Sequence, residues 1–159
     1  MASEKMIKSF NYQINREIYS AYFYLGMASY AASIGRKGTA NWFMLQVKEE
    51  LAHARKMYEY VNQQGARVML EVIEEPPQDF TSVTDLFEKT LAHEKKVTVM
   101  INSLADLASE EKDSATGEFL QWFIKEQKEE EATPAGILKK IKGLDEAGIS
   151  EVDDELGKR

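Results

Sequence analysis

Glu50 and His53 stand three residues apart in Val47-Lys48-Glu49-Glu50-Leu51-Ala52-His53-Ala54, a stretch free of helix breakers. On an α-helix that spacing puts a carboxylate and an imidazole on one face, where both reach a common point. Helical bundles offer such a pair to a metal ion, although a glutamate-rich helix also produces it by chance. Acids at inward positions elsewhere give the pair its weight. Around Glu94, the residues three, four and seven positions away are Phe87, Thr90, Leu91, Val97, Thr98 and Ile101. Glu17 shares its face with Gln13, Ile14, Ser20, Ala21 and Tyr24; Gln127 and Glu130 share theirs with Phe123 and Ile137.

A carboxylate buried without a partner costs several kcal/mol or takes up a proton, and several together repel one another. No lysine or arginine falls on these stripes, so the expected counter-charge is a bound cation. The competing reading is a helical interaction module whose glutamates are solvated, as Glu110, Glu111 and Glu131 are expected to be. The joint pattern favours metal. One carboxylate comes from each of two helices and an ExxH from a third, with Gln127-x-x-Glu130 where a second ExxH would fall. The departure from carboxylate-bridged dimetal bundles is a glutamine in place of the second motif's acid, and Glu130 in place of its histidine. Many oxygens with one imidazole suit iron better than zinc, and no Asp-rich loop suggests calcium. Glu50 is the expected bridging ligand, and His53 would bind one iron only.

Positioning these groups requires long helices, and the apolar periodicity supplies four. The first runs from an N-cap at Ser3 to about Ile34, with Gly35 and Gly38 in the turn beyond. The second is expected from Thr39 or Asn41 to Gln64, stopped by Gly65. Residues 66–81 contain Pro76-Pro77 and form no helix. At about 3.3 Å per residue they reach roughly 50 Å, more than the ~38 Å of a 25-residue helix. Helices two and three are therefore parallel, joined end to end by a crossover. The third helix runs from Ser82 to about Lys112, and the fourth from Asp113 or Ser114 to Lys142. Pro134 within the fourth is expected to bend it without stopping it. Gly143 and Gly148 set off an acidic tail whose Ser150 to Leu156 makes one or two turns. The fold class is all-α: a four-helix bundle with one long crossover plus a short C-terminal helix or tail. It forms a single domain over residues 1–159, with the bundle at about 3–142 and the tail at 143–159.

Across its 159 residues, 43% are hydrophobic and 30% charged, which is the balance of a water-soluble globular protein. The net charge of −7 argues against nucleic-acid partners and favours cations. Without cysteine there is neither a disulfide nor a thiolate metal site. No apolar run is long enough for a membrane span, and Met1 to Phe10 lacks a signal-peptide core, so the expected location is cytoplasmic.

The chain resembles the prokaryotic non-haem ferritins over nearly its whole length. The motifs are Ile14-Asn15-Arg16-Glu17-Ile18-Tyr19-Ser20-Ala21-Tyr22, Glu49-Glu50-Leu51-Ala52-His53-Ala54, Glu75-Pro76-Pro77, Phe119-Leu120-Gln121-Trp122-Phe123 and Glu126-Gln127-Lys128-Glu129-Glu130-Glu131. The resemblance implies a ferritin-like bundle with a di-iron ferroxidase centre. Glu17, Glu50 and His53 would hold its first iron; Glu50, Glu94 and Glu130 its second, with Gln127 hydrogen-bonding beside them. A third iron position would use Glu49, Glu126, Glu129 and Glu130. Tyr24 matches a tyrosine beside that centre and Trp122 a nearby aromatic; core packing accounts for either equally well. Leu51 stands where bacterioferritins carry a haem-ligating methionine, so no haem is expected.

The implied activity is oxidation of Fe(II) by O2 or H2O2, with Fe(III) stored as hydrous oxide in a homo-oligomeric shell of 24 subunits. The short polar tail departs from the family's usual fifth helix. A rubrerythrin-like di-iron oxidase or peroxidase without storage is the alternative, against which the missing cysteines count. His93 lies about 100° around the helix from Glu94 and reads as a surface or interface residue, not a ligand.

Overall fold

The computed structural model describes residues 1–159 as five helices and no strand: α1 Glu4–Ser33, α2 Lys37–Gln63, α3 Val83–Glu110, α4 Ser114–Ile141 and α5 Glu146–Leu156. Four starts are capped from within the local sequence, that of α5 by Asp145, which accepts from the Gly148 N–H. The Ser3 hydroxyl accepts from the Met6 N–H, Ser82 from Asp85, and the Asp113 carboxylate from Thr116, each satisfying a first-turn donor. Gly65 follows α2 at φ 73°, a left-handed conformation that favours glycine.

α1 and α2 form one helical hairpin, and α3 and α4 the other. The Ala2 N–H donates to the Gln64 side chain, which fixes the end of α2 beside the start of α1. The crossover then runs up α1. Asn11 accepts from the Met69 N–H, Asn15 from the Glu71 N–H, Arg16 pairs with Glu74 at 2.6 Å, and Tyr30 meets Phe80. The chain is thus delivered to the far end of α1, where Phe87 of α3 packs on Trp42 and Phe43 near the start of α2. Helices α2 and α3 are parallel, as the length of the crossover predicts.

Two apolar clusters fill the bundle. One contains Tyr24, Phe43 and Phe87; the other contains Phe10, Met57, Ile101 and Leu120. The inward acids lie between them in sequence on every long helix, and they belong to neither. No helix is long and apolar enough to cross a membrane.

Two boundaries differ from the expected ones. α2 begins at Lys37, two to four residues early, although its N-cap residue Arg36 offers no side-chain bond. The missing cap comes from the other end of the chain: Asp153 accepts from the N–H groups of Gly38 at 3.2 Å and Thr39 at 2.7 Å, and from the Thr39 hydroxyl. The tail is correspondingly longer than expected. α5 spans 11 residues, not one or two turns, and buries Val152, Asp153 and Leu156 against the bundle. α4 runs through Pro134 without stopping, as expected.

Candidate metal centre

Glu17, Glu50, His53, Glu94, Gln127 and Glu130 are all buried, one or two from each long helix. Three sets of ligand atoms converge, each with its members within 4.8 Å of one another: Glu17, Glu50 and His53; Glu50, Glu94 and Glu130; and His53, Glu126 and Glu130. Glu50 belongs to the first two sets, as a bridging carboxylate would.

On the first side, His53 Nδ1 lies 3.2 Å from Glu50 Oε2 and 3.7 Å from Glu17 Oε2. The other Glu17 oxygen accepts from Gln13 at 2.8 Å, while Oε2 is buried with no hydrogen-bond partner. A buried, unsatisfied carboxylate oxygen aimed at an imidazole suits a position that takes a cation. On the second side, the Tyr24 hydroxyl donates to Glu94 Oε1, and Gln127 Nε2 donates to Oε2 at 3.1 Å. Gln46 Nε2 donates to Glu130 at 2.5 Å and to Glu50 at 3.3 Å.

Burial raises the carboxyl pKa values, and mutual repulsion adds to it. Glu50 is pushed well above its ordinary value by desolvation and by Glu94. Glu94 rises to about 7, chiefly through burial, although Tyr24 and Gln127 oppose the rise. Glu130 rises to about 8 through burial and the charge of Glu94. For His53, burial acts downward, but Glu17 and Glu50 outweigh it and carry the imidazole to about 11. In the metal-free site, raised carboxyl pKa values and a raised imidazole pKa therefore favour protonated groups. A divalent ion must displace those protons to bind.

None of the inner acids Glu17, Glu50, Glu94 and Glu130 pairs with a lysine or arginine, and the basic group beside them is His53, whose pKa Glu17 and Glu50 hold well above its ordinary value. Arg159, from the far end of the chain, lies 2.8 Å from Glu49 and donates to Gln46 Oε1 at 3.1 Å. Arg159 leaves no trace in helical periodicity, because its approach depends on the docking of α5. Gln13 and Gln46 were also missed as partners, although each stands one helical turn before a site glutamate, Glu17 or Glu50.

The remaining candidates are more dispersed. Glu126 is half-buried, 3.8 Å from His53 Nε2. Glu49 and Glu129 join Glu126, Glu130, Gln46 and Arg159 around a cavity of about 100 Å³. Trp122 packs edge-on against His53 at 5.5 Å. His93 is half-buried instead of lying open at the surface. It bonds Ser20 at 2.7 Å and stacks on Phe23 at 4.6 Å, and it joins no metal-binding set.

A family model described as Ferritin-like domain matches residues 7–144. A bacterial non-heme ferritin of Bacteroides fragilis is 39% identical over 159 residues, spanning all of both chains. One from Campylobacter jejuni is 40% identical over 148 residues, which is 93% of this chain and 89% of its own. Among solved structures, an open pore ferritin from the hyperthermophilic archaeon Archaeoglobus fulgidus superposes with a TM-score of 0.98 at 48% identity, covering 100% of this chain and 99% of that one.

Proposed function

The chain belongs to the ferritin family, and on that premise we propose that it oxidises Fe(II) at an intrabundle di-iron centre and stores the product as hydrous ferric oxide. The observation that carries this reading is the convergence of Glu17, Glu50, His53, Glu94 and Glu130 in the dry interior, with Glu50 common to both ligand sets.

Iron is the substrate here. Two adjacent Fe(II) ions supply two electrons to one O2, and two protons complete hydrogen peroxide, so no free one-electron product is released. Glu17, Glu50 and His53 hold one ion; Glu50, Glu94 and Glu130 hold the other. Hard anionic carboxylates favour Fe(III) over Fe(II), which drives the oxidation. Gln127, Tyr24 and Gln46 hold the carboxylates in place and bind no metal themselves. The product leaves through Glu49, Glu126, Glu129 and Glu130, the third metal position, whose less buried acids form a graded exit. The protein works in the cytoplasm as a homo-oligomeric shell of 24 subunits. O2 or H2O2 is the co-substrate.

Anaerobic Fe(II) titration followed by air tests the reading. The expected result is a stoichiometric break at two or three ions per subunit, ferric absorbance on oxygenation, and retention of far more iron than the break. Glu50→Ala should abolish the break. A smooth titration with no ferric absorbance would overturn ferroxidase activity. Retention limited to the break would overturn storage and leave a di-iron oxidase. Sedimentation separates a hollow shell from a lone bundle.

A further inference from the structure

Arg159 is the last residue of the sequence, and no feature of its neighbours in the chain assigns it a role. In the fold it is held at four points. Its guanidinium lies 4.6 Å over the Trp42 ring. One nitrogen donates to the Trp42 carbonyl at 3.1 Å and to Gln46 Oε1 at 3.1 Å, while the other meets Glu49 at 2.8 Å. The side chain is about three-quarters covered, at 26% exposure. It therefore forms one wall of the small cavity whose acidic lining is Glu49, Glu126, Glu129 and Glu130.

This location matters because the cavity adjoins the centre. Gln46 links the two: its oxygen accepts from Arg159 and its nitrogen donates to Glu50 and Glu130. A guanidinium has five donors and no acceptor, so the only amide orientation it tolerates presents the Gln46 oxygen outward and the NH2 group to the acids. Arg159 thus orders Gln46 and neutralises Glu49 at once.

We propose that Arg159 is the resident counter-ion of the outer acid cluster, occupying Glu49 until a metal ion at the third position displaces it. This rests on the reading of Glu49, Glu126, Glu129 and Glu130 as a metal position. The ion pair is suited to exchange. Glu49 is 44% exposed, and pairs so open to water contribute little net stability. A metal bound by several carboxylates outcompetes a single guanidinium, while the need to displace that guanidinium keeps the third position weaker than the inner two. Product iron then meets a site that holds it briefly and passes it on. Two positive charges do not share Glu49 in so small a space, so occupancy alternates between arginine and metal.

Zinc, a redox-silent stand-in for Fe(II), provides the test. Calorimetric titration of the assembled protein should resolve a weaker step beyond the first two equivalents. In Arg159→Ala that step should tighten by about tenfold, with a smaller difference in high salt. Arg159→Lys keeps the charge and should stay near wild type. In a Trp122→Phe background, Trp42 is the sole tryptophan, and its emission should change as the third equivalent binds, because the guanidinium leaves its ring. The same titration of Trp122→Phe with Arg159→Ala should show no such change.

A third step of equal affinity in wild type and Arg159→Ala overturns the proposal, even if the alanine variant melts at a lower temperature. That outcome leaves Arg159 a packing residue and the metal position intact. An unchanged Trp42 emission at the third equivalent also overturns it. If neither protein takes a third equivalent, the outer metal position fails and the proposal fails with it.

Discussion

One amide nitrogen ties Glu50 of α2 to Glu130 of α4: Gln46 Nε2 donates to both, at 3.3 and 2.5 Å. These are two of the three carboxylates in the second ligand set. Both are repelled by Glu94, and in the empty site a neutral donor holds them together. Gln46→Leu fills a similar volume and removes that donor. The metal-free protein should lose about 1–3 kcal/mol, the cost of leaving buried acceptors unmet. Zinc-loaded protein should lose much less, because the metal supplies the missing positive charge. Urea unfolding of both forms checks this; an equal loss in both would mean that Gln46 only packs.

The sequence displayed most of the frame because the helices carry their own signals. Ser3, Ser82 and Asp113 are local caps, and all three serve as such. Glu17, Glu50 and Glu94 were legible as inward-facing because their neighbours one turn away are core residues, and burial of an acid has few physical causes. The start of α2 was not legible, since its cap is Asp153, 115 residues from Gly38. Nor was the docking of α5, whose buried contribution is only Val152, Asp153 and Leu156. Periodicity reports which face is buried but not what meets it, so Arg159 and the stacked His93 emerge only from tertiary structure.

The stability of the metal-free protein should fall as pH rises. Glu94 and Glu130 have folded pKa values of about 7 and about 8, above the ordinary 4.5. A carboxyl raised in the folded state binds its proton more tightly there. Its contribution is full below pH 4.5 and is lost as pH rises through the folded value. His53, raised from 6.5 to about 11, acts in the same direction, with its contribution fading between those limits. Metal binding should reverse the trend, because ions displace these protons and bind more tightly as pH rises. Thermal midpoints from pH 5 to 9, with and without zinc, measure both slopes. Calorimetry in buffers of different ionisation enthalpy should show proton release on binding at pH 7.

Tyr24 is wholly buried and donates its hydroxyl to Glu94, whose other oxygen is held by Gln127. Burial and the neighbouring charges of Glu94 and Glu50 push the phenol pKa well up, so it remains a donor at any working pH. Tyr24→Phe keeps the ring against Phe43 and loses only that bond. The expected loss is about 1 kcal/mol of metal-free stability. Zinc stoichiometry should be unchanged, and the initial rate of Fe(II) oxidation should drop several-fold as Glu94 loses a fixed orientation. A wild-type rate with full stoichiometry would reduce Tyr24 to core packing.

Gly38 is the contact on which the docking of α5 depends. A Cβ built there would lie 1.7 Å from the Asp153 carbonyl oxygen and 2.9 Å from the Gly157 nitrogen, both backbone atoms that no side-chain movement can relieve. Gly38→Ala must therefore push α5 away, and the displaced helix takes with it the Asp153 cap on α2. Asp153→Ala removes the cap alone and should cost about 0.5–2 kcal/mol, the usual range for a lost N-cap. Gly38→Ala should cost more, although alanine is the better helix former, because Val152 and Leu156 also lose their cover. Hydrogen exchange locates the effect. Amides of residues 146–156 and the first turn of α2 should lose protection, while those around Glu94 and Glu130 keep theirs. Uniform loss of protection along α3 and α4 would instead mean that α5 is required for the bundle itself.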